Sequence, residues 1–319
     1  YYYAYVAPYW KKGETMSKTD LPWDAEKIRN MCPVDQYTGG IEHATMHLLY
    51  FRFYTKALAD MGLLDFREPA KRLFNQGMIL GEDHEKMSKS RGNVVNPDDL
   101  VQKYGTDTVR AYLMFLGPWD AGAPWNPHGI EGLARFFKGV WTLCHMEDKQ
   151  TAVPTPDTEK KLLKTLHQTI KKSGEDLQHF RFNTAIAAVM AFRNVLKAAP
   201  EAAGTKVWTE CLEGMLLMLA PIAPHITEEL WQKLKPGRGS IHQQAWPEYE
   251  EALVAEDLVT LVVQVNGKVR DRLEMPAGTN KDETERLALA APKVQTYMEG
   301  KQIRKVVVVP ERLVNIVCG

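Results

Sequence analysis

Residues 77–99 read Gly77-Met78-Ile79-Leu80-Gly81-Glu82-Asp83-His84-Glu85-Lys86-Met87-Ser88-Lys89-Ser90-Arg91-Gly92-Asn93-Val94-Val95-Asn96-Pro97-Asp98-Asp99. The short apolar run at the head predicts a buried strand. Asn96 before Pro97 predicts a helix start, with a cap and proline at the first helical position. Between them two lysines, two serines and an arginine stand on a glycine-flanked loop free to move, a composition suited to holding a polyphosphate while charge shifts across it. Strand, basic loop, helix is the local order, and it sets the α/β reading of the front of the chain.

Working outward, residues 33–53 read as a strand that stops at Gly39-Gly40, followed by a helix to about Asp60 with apolar residues three and four apart. A strand ending in Gly-Gly against a helix N-terminus suits a nucleotide, because glycine lets a ligand approach the backbone and the helix offers free N–H groups. His43 and His47 fall at i and i+4 on that expected helix. The order Glu42-His43 before His47 is not the His-Glu-x-x-His of a helical metalloprotease, so nucleotide contact is favoured over metal binding and no metal is expected. Further upstream, the aromatic stretch 1–9 reads as core packing, and Asp24 as the cap of a short helix.

The 319 residues suffice for two or three domains. Forty basic and forty acidic residues leave no net charge, so any nucleic-acid surface must be a local patch. Cys32, Cys144, Cys211 and Cys318 are too widely spaced for a zinc knuckle or a dense disulfide framework, which makes a reducing, cytoplasmic setting the expectation. No apolar run approaches a membrane span and no signal peptide is evident. The opening Tyr1-Tyr2-Tyr3-Ala4-Tyr5 has no initiator Met and reads as a piece of something longer.

Lys86-Met87-Ser88-Lys89-Ser90 resembles the signature loop of class I aminoacyl-tRNA synthetases. Gly39-Gly40-Ile41-Glu42-His43, with residues 47–53, is similar to the leucine-specific branch, the bacterial-type leucyl-tRNA synthetases. Asn75-Gln76-Gly77-Met78-Ile79 matches the strand that faces adenine in that family. The resemblance implies a leucine–tRNA ligase that activates leucine with ATP and Mg2+ as substrate and passes it to tRNA(Leu). It implies that Lys86 and Lys89 stabilise the phosphates, with Ser88 and Ser90 adding hydrogen bonds and Met87 anchoring the loop. It further implies that Gly39, Gly40, Glu42, His43, His47, Gly77, Met78 and Ile79 lie around ATP, and that Tyr1 borders the amino-acid pocket. Little protein base is needed, since the substrate carboxylate is itself the nucleophile. The family's His-Ile-Gly-His motif and its editing insertion are missing, so only the C-terminal part of such an enzyme is expected. That part should be inactive without the N-terminal half, in cis or as a separate subunit.

Beyond residue 96 the period is helical. Residues 100–115 read as one amphipathic helix and 119–125 as a turn-rich link. Helices are expected at about 127–147, 157–178, 181–199, 206–220 and 224–234, forming an antiparallel bundle. Residues 129–136 and 219–231 resemble the family's anticodon-binding bundle. His225, between Pro224 and a new helix, reads as a first-turn residue rather than a catalytic one. Arg110 and Arg135 are weighed evenly between contact with the tRNA acceptor arm and no specific role.

From 258 the pattern alternates. Strands at 258–265 and 268–275 flank the hairpin pair Asn266-Gly267, helices at 281–290 and 292–300 follow, and strands resume at 303–309 and 313–317. This ββααββ unit resembles the C-terminal domain that reaches the corner of the tRNA. Ten basic against seven acidic residues from 259 onward leave a modest positive surplus. Lys268, Arg270, Lys301, Arg304 and Lys305 are the expected phosphate contacts, the alternative being ordinary edge-strand protection.

The reading is therefore three parts. Residues 1–95 form an α/β remnant, the second half of a Rossmann-like nucleotide-binding sheet. Residues 96–250 form an antiparallel α-helical bundle, and 251–319 a small α+β (ββααββ) domain. The rivals are a non-catalytic RNA-binding or scaffold protein and a nucleotidyl transferase of similar topology, the second of which leaves the β module unexplained.

Overall fold

A computed structural model of the chain describes residues 23–146, 153–255 and 258–319. Tyr1 and the aromatic stretch 1–9 lie outside the described residues. By its internal packing the chain divides into two units, with the boundary between Tyr249 and Glu250.

In the first unit, α1 (Ala25–Met31) is capped by Asp24, whose carboxylate accepts from the N–H groups of Glu26 and Lys27 at 3.0 and 3.1 Å. Strand β1 (Tyr37–Gly40) ends at the double glycine, as expected. The helix after it is not continuous: a 3-10 turn, Ile41–Thr45, precedes α2 (His47–Asp60). Met46 separates them at φ −124°, ψ −111°, so His43 and His47 do not share one α-helical face. The tight turn forms because the Met46 N–H bonds back three residues to the His43 carbonyl at 3.1 Å.

Strand β2 (Leu73–Gln76) lies parallel to β1, with Gly39 opposite Asn75 and Gly40 opposite Gln76. Strand β3 (Met78–Leu80) pairs in parallel with β4 (Gly122–Pro124), Met78 opposite Gly122. Two expectations are corrected here. β3 is not buried, since it belongs to a two-stranded ribbon and Met78 is 41% exposed. The supposed link at 119–125 contains a strand, one too short and too rich in glycine and proline to show an alternating pattern.

Asn96 caps α3 (Pro97–Tyr104), accepting from the Asp98 N–H at 3.2 Å. Gly105, at φ +84°, separates it from α4 (Thr106–Phe115), so the single helix expected over 100–115 is two. Then come α5 (Ile130–Cys144), α6 (Pro156–Gln178), α7 (Phe182–Lys197), α8 (Lys206–Leu219) and α9 (Pro224–Leu234), close to the expected spans. Their inward residues recur at three and four, as in Leu162, Leu166 and Ile170 on α6 and Leu212, Met215 and Leu219 on α8. Together with Phe192, Trp208 and Trp231 they form one buried core. Each such large side chain removed from water contributes about 1.5–3 kcal/mol. No described helix is long and apolar enough to cross a membrane.

The second unit opens with a one-turn helix, α10 (Glu251–Val254). It continues with β5 (Leu258–Val265), β6 (Lys268–Pro276), α11 (Lys281–Ala290), α12 (Pro292–Met298), β7 (Ile303–Val309) and β8 (Leu313–Cys318). The sheet order is β6-β5-β8-β7, two antiparallel hairpins joined by the parallel β5–β8 pair. Alternate residues Leu261, Val263 and Val265 on β5 and Val314, Ile316 and Cys318 on β8 turn one face into a core that α11 and α12 help to cover. Asn266 (φ +52°) and Gly267 (φ +77°) make the two-residue turn, both in the left-handed region that such hairpins require. The Asn266 side chain also ties the hairpin to β8, bonding the Cys318 carbonyl at 2.9 Å and accepting from its N–H at 3.0 Å.

Candidate nucleotide site

β1, β2, β3 and β4 end around a cavity of about 450 Å³, within the range of small-ligand sites. Gly40, Ile41 and Glu42 line one part of it, residues 75–79 another, and Leu113, Leu116 and residues 117–120, 122 and 123 the rest. Of the residues expected around ATP, the structure thus brings Gly40, Glu42, Gly77, Met78 and Ile79 to one space.

The glycines are needed there. A Cβ on Gly77 would stand 2.1 Å from the backbone nitrogen of Gly122, so the two strands meet backbone to backbone. The Gly77 N–H donates to the Trp119 carbonyl at 2.7 Å. A Cβ on Gly40 would fall 2.3 Å from a Glu42 carboxylate oxygen, so that carboxylate lies against the glycine corner.

Gly39, His43 and His47 are not among the lining residues. The Tyr37 hydroxyl lies 2.7 Å from His47 Nδ1, and the two rings are stacked with 5.7 Å between centroids. His43 meets His47 edge-on at 6.3 Å, and its buried Nδ1 has no hydrogen-bond partner among the described residues. Among the described residues no group of three or more His, Cys, Asp or Glu side chains is arranged to hold a metal ion.

The lysine loop starts one residue beyond the cavity. Ile79 lines the cavity, and Leu80 forms an antiparallel bridge with Lys86. The loop is internally braced rather than loose. The Gly81 N–H donates to the Glu85 carbonyl at 2.8 Å, and the Ser88 N–H to Asn93 Oδ1 at 2.8 Å. The Ser88 and Ser90 hydroxyls are 2.8 Å apart, and Arg91 pairs with Glu85 at 3.0 Å. Met87 is partly buried against the main core, the anchor expected of it. A bond from the Glu85 N–H holds the Asp83 carboxyl below its ordinary range, helped by the Asn93 amide and the Arg91 charge. With Arg91 committed, Lys86 and Lys89 remain exposed, and their ammonium groups have no partner among the described residues.

The other expected contacts are distributed. Arg110 is bound within the protein, donating to the Ile222 and Pro221 carbonyls at 3.2 Å each. Arg135 is three-quarters exposed, 3.9 Å from Glu131. His225 sits in the first turn of α9, its Nδ1 2.8 Å from Asp107 Oδ1, while Asp107 Oδ2 accepts the Ile226 N–H at 2.6 Å. In the second unit Lys268, Lys301, Arg304 and Lys305 are exposed, and Arg270 lies over the Tyr297 ring at 4.0 Å. Trp119, Asp120 and Gly122 were missed by sequence reasoning. Gly122 reaches the cavity on β4, and Trp119 and Asp120 in the turn before it. The one trace of the β3–β4 pairing in the sequence is a glycine in each facing segment.

Comparison with known proteins agrees with this geometry. A family model for class I tRNA synthetases (I, L, M and V) matches residues 10–121, and one for the anticodon-binding domain of tRNA ligase matches residues 159–285. Leucine–tRNA ligases of Dehalococcoides mccartyi and Rubrobacter xylanophilus are 51% and 50% identical over 99% of this chain, which spans 38% and 37% of their lengths. Among solved structures, the AgnB2 LeuRS of Agrobacterium radiobacter K84, in a ternary complex with tRNA and LeuAMS, matches with a TM-score of 0.76 and 34% identity, over 93% of this chain and 39% of that one. The methionyl-tRNA synthetase of Mycobacterium tuberculosis bound by methionyl-adenylate shares the fold at a TM-score of 0.52 and 18% identity, over 65% of this chain and 45% of that one. The lysine loop, the glycine corner and these matches agree: over nearly its whole length the chain is similar to part of the leucine–tRNA ligases, class I tRNA synthetases.

Proposed function

We propose that this chain supplies the phosphate-holding half of a leucine-activating site, with the helices and β module that present tRNA(Leu) to it, in a leucine–tRNA ligase. The observation that carries the reading is the junction of β3 with the lysine loop. Ile79 lines the cavity, Leu80 bridges Lys86, and among the described residues the ammonium groups of Lys86 and Lys89 on this braced loop have no partner.

In this reading adenosine of the ATP–Mg2+ substrate takes the space between Gly40 and Gly77, and Lys86 and Lys89 face the phosphates. The leucine carboxylate attacks the α-phosphorus, the bond to the bridging oxygen breaks, and pyrophosphate leaves with the charge that the two lysines neutralise. Ser88 and Ser90 add hydrogen bonds to the same oxygens. The exposed cations of the second unit, Lys268, Lys301, Arg304 and Lys305, contact tRNA phosphates without reading sequence.

An N-terminal half, in cis or as a separate subunit, completes the site. Support comes from the apolar surface of the 3-10 turn and α2, where Ile41, Tyr50 and Phe53 are 67–72% exposed beside Met46, Leu49 and Tyr54. A patch of this kind marks an interaction surface. The free cysteines suit a reducing, cytoplasmic setting.

The test mixes this chain with the N-terminal part of a leucine–tRNA ligase and follows leucine-dependent exchange between ATP and pyrophosphate. Activity is expected only in the mixture. Lys89→Ala should lower it by roughly two orders of magnitude or more with little change in leucine KM. Full activity in Lys89→Ala removes the assignment. Deleting residues 256–319 should weaken tRNA charging and spare pyrophosphate exchange, and equal loss of both would count against the role given to the β module.

A further inference from the structure

The corner between α6 and α7 holds a residue in a conformation its type disfavours. The Phe180 N–H donates to the Leu177 carbonyl at 3.2 Å and the Arg181 N–H to the Asp176 carbonyl at 2.8 Å. This helix cap places its fifth residue in the left-handed region, where glycine normally sits. Here that residue is Phe180, at φ +58°. Such strain persists only where the surroundings over-determine it. The fully buried Asp176 side chain is paired with Lys172 and receives Arg181 Nε at 2.8 Å. Burial alone would raise its carboxyl, but the bonds from Lys172 and Thr184 and the two positive charges hold it below its ordinary range.

The corner presents its ring to the nucleotide sheet. Phe180 stacks on Phe74 of β2, with centroids 4.4 Å apart and planes 13° from parallel. It also packs against Phe182 at 5.4 Å, and Phe182 meets the Trp119 ring edge-on at 5.1 Å. The Trp119 carbonyl in turn accepts the Gly77 N–H at 2.7 Å. These contacts close a ring: Phe74, Phe180, Phe182, Trp119, Gly77 and back along β2. The segment held at both ends contains Asn75 and Gln76, which line the cavity with Gly77.

We propose that Phe180 is a positioning residue for the nucleotide cavity: through Phe74 and Trp119 it fixes residues 75–77, so that the α6–α7 corner of the helical bundle governs how tightly the cavity holds a nucleotide. The inference rests on the nucleotide reading above and names the element that controls that site. Phe180 is not among the cavity-lining residues. Its loss acts on the shape of the nucleotide grip and leaves leucine recognition alone.

The first measurement is amide hydrogen exchange on the full chain without nucleotide. Phe180→Gly keeps the left-handed backbone and removes the ring. Amides of residues 75–77 should then exchange at least about tenfold faster while those in the middle of α7 keep their rates, and Phe180→Tyr should exchange like the unaltered chain. The second is pyrophosphate exchange in the mixture with the N-terminal part, where Phe180→Gly should raise the ATP KM about fivefold, with kcat and leucine KM within about twofold. Should Phe180→Gly loosen the whole bundle, Phe74→Leu, which changes no helix, decides by the same readouts. Unaltered exchange at 75–77 in the deciding variant overturns the proposal, and so does faster exchange with an unaltered ATP KM. An unaltered mixture with no activity at all defeats the proposed function instead, and the amide readout then decides the role of Phe180 alone.

Discussion

The Asn93 side-chain amide donates to both oxygens of the Asp83 carboxylate, at 3.2 and 3.0 Å, closing the lysine loop on itself across ten residues. The same amide lies 3.3 Å from the Lys86 carbonyl, and Asn93 Oδ1 accepts the Ser88 N–H. One side chain thus sets the backbone of both sides of the segment that carries Lys86 and Lys89.

Asn93→Ala should therefore lower pyrophosphate exchange about ten- to hundredfold, less than Lys89→Ala, because the cations remain and only their placement is lost. The melting temperature should fall by a few degrees at most, since the loop is exposed. Kinetics and a thermal melt on one preparation check both. Activity near that of the unaltered mixture would mean that the brace has no part in placing the lysines.

Gly77→Ala should destabilise the first unit by about 1–3 kcal/mol, because the added methyl meets Gly122 backbone that cannot rotate away. Gly132→Ala is the matched control. It lies inside α5 with open space around the position of its Cβ, and it should stabilise by about 0.5–1 kcal/mol. Denaturant unfolding followed by circular dichroism separates the two, and a harmless Gly77→Ala would contradict the β3–β4 contact.

Acid should release the loop between α2 and β2. Arg52 of α2 grips Glu68 through two nitrogens at 2.8 and 2.7 Å, with Lys56 at 3.4 Å. Mainly through the Arg52 hydrogen bonds, the Glu68 carboxyl is drawn from the usual 4.5 to about 2. Since its pKa is lower in the folded state, the unfolded chain takes up the proton first as pH falls. The pair's contribution is full above about pH 4.5 and is lost on the way down to about 2. Side-chain carboxyl NMR should show the Glu68 midpoint near 2. Glu68→Gln should be slightly less stable than the native chain at neutral pH and equal to it near pH 2, the difference staying small because the pair is half exposed.

Thiol labelling should be selective. All four cysteines are free, with Cys144, Cys211 and Cys318 buried and Cys32 partly exposed. Burial pushes the Cys211 thiol to about 12 and raises Cys32 as well, so little thiolate is present at neutral pH. A native sample at pH 8 should label at Cys32 alone, and slowly, with the other three reacting after denaturation. Mass spectrometry of the labelled peptides checks this, and prompt labelling of Cys211 would contradict its place in the core.

What could be read from the sequence was local. The Asn96–Pro97 helix start, the Asn266-Gly267 hairpin, the five long helices and the alternation of the β module depend on neighbours within a turn of helix or across one strand pair, so their residues announce them. The glycine corner and the lysine loop were likewise legible, because glycine and clustered cations carry their chemistry wherever they are placed. Tertiary structure alone decided the rest. It paired residues 78–80 with 122–124, broke the expected helices at Met46 and Gly105, bound Arg110 to carbonyls beyond α8, and brought Phe180 against Phe74. Each of these joins groups far apart along the chain, where the outcome depends on packing geometry and on which backbone groups find partners, and neither is written in any one stretch of residues.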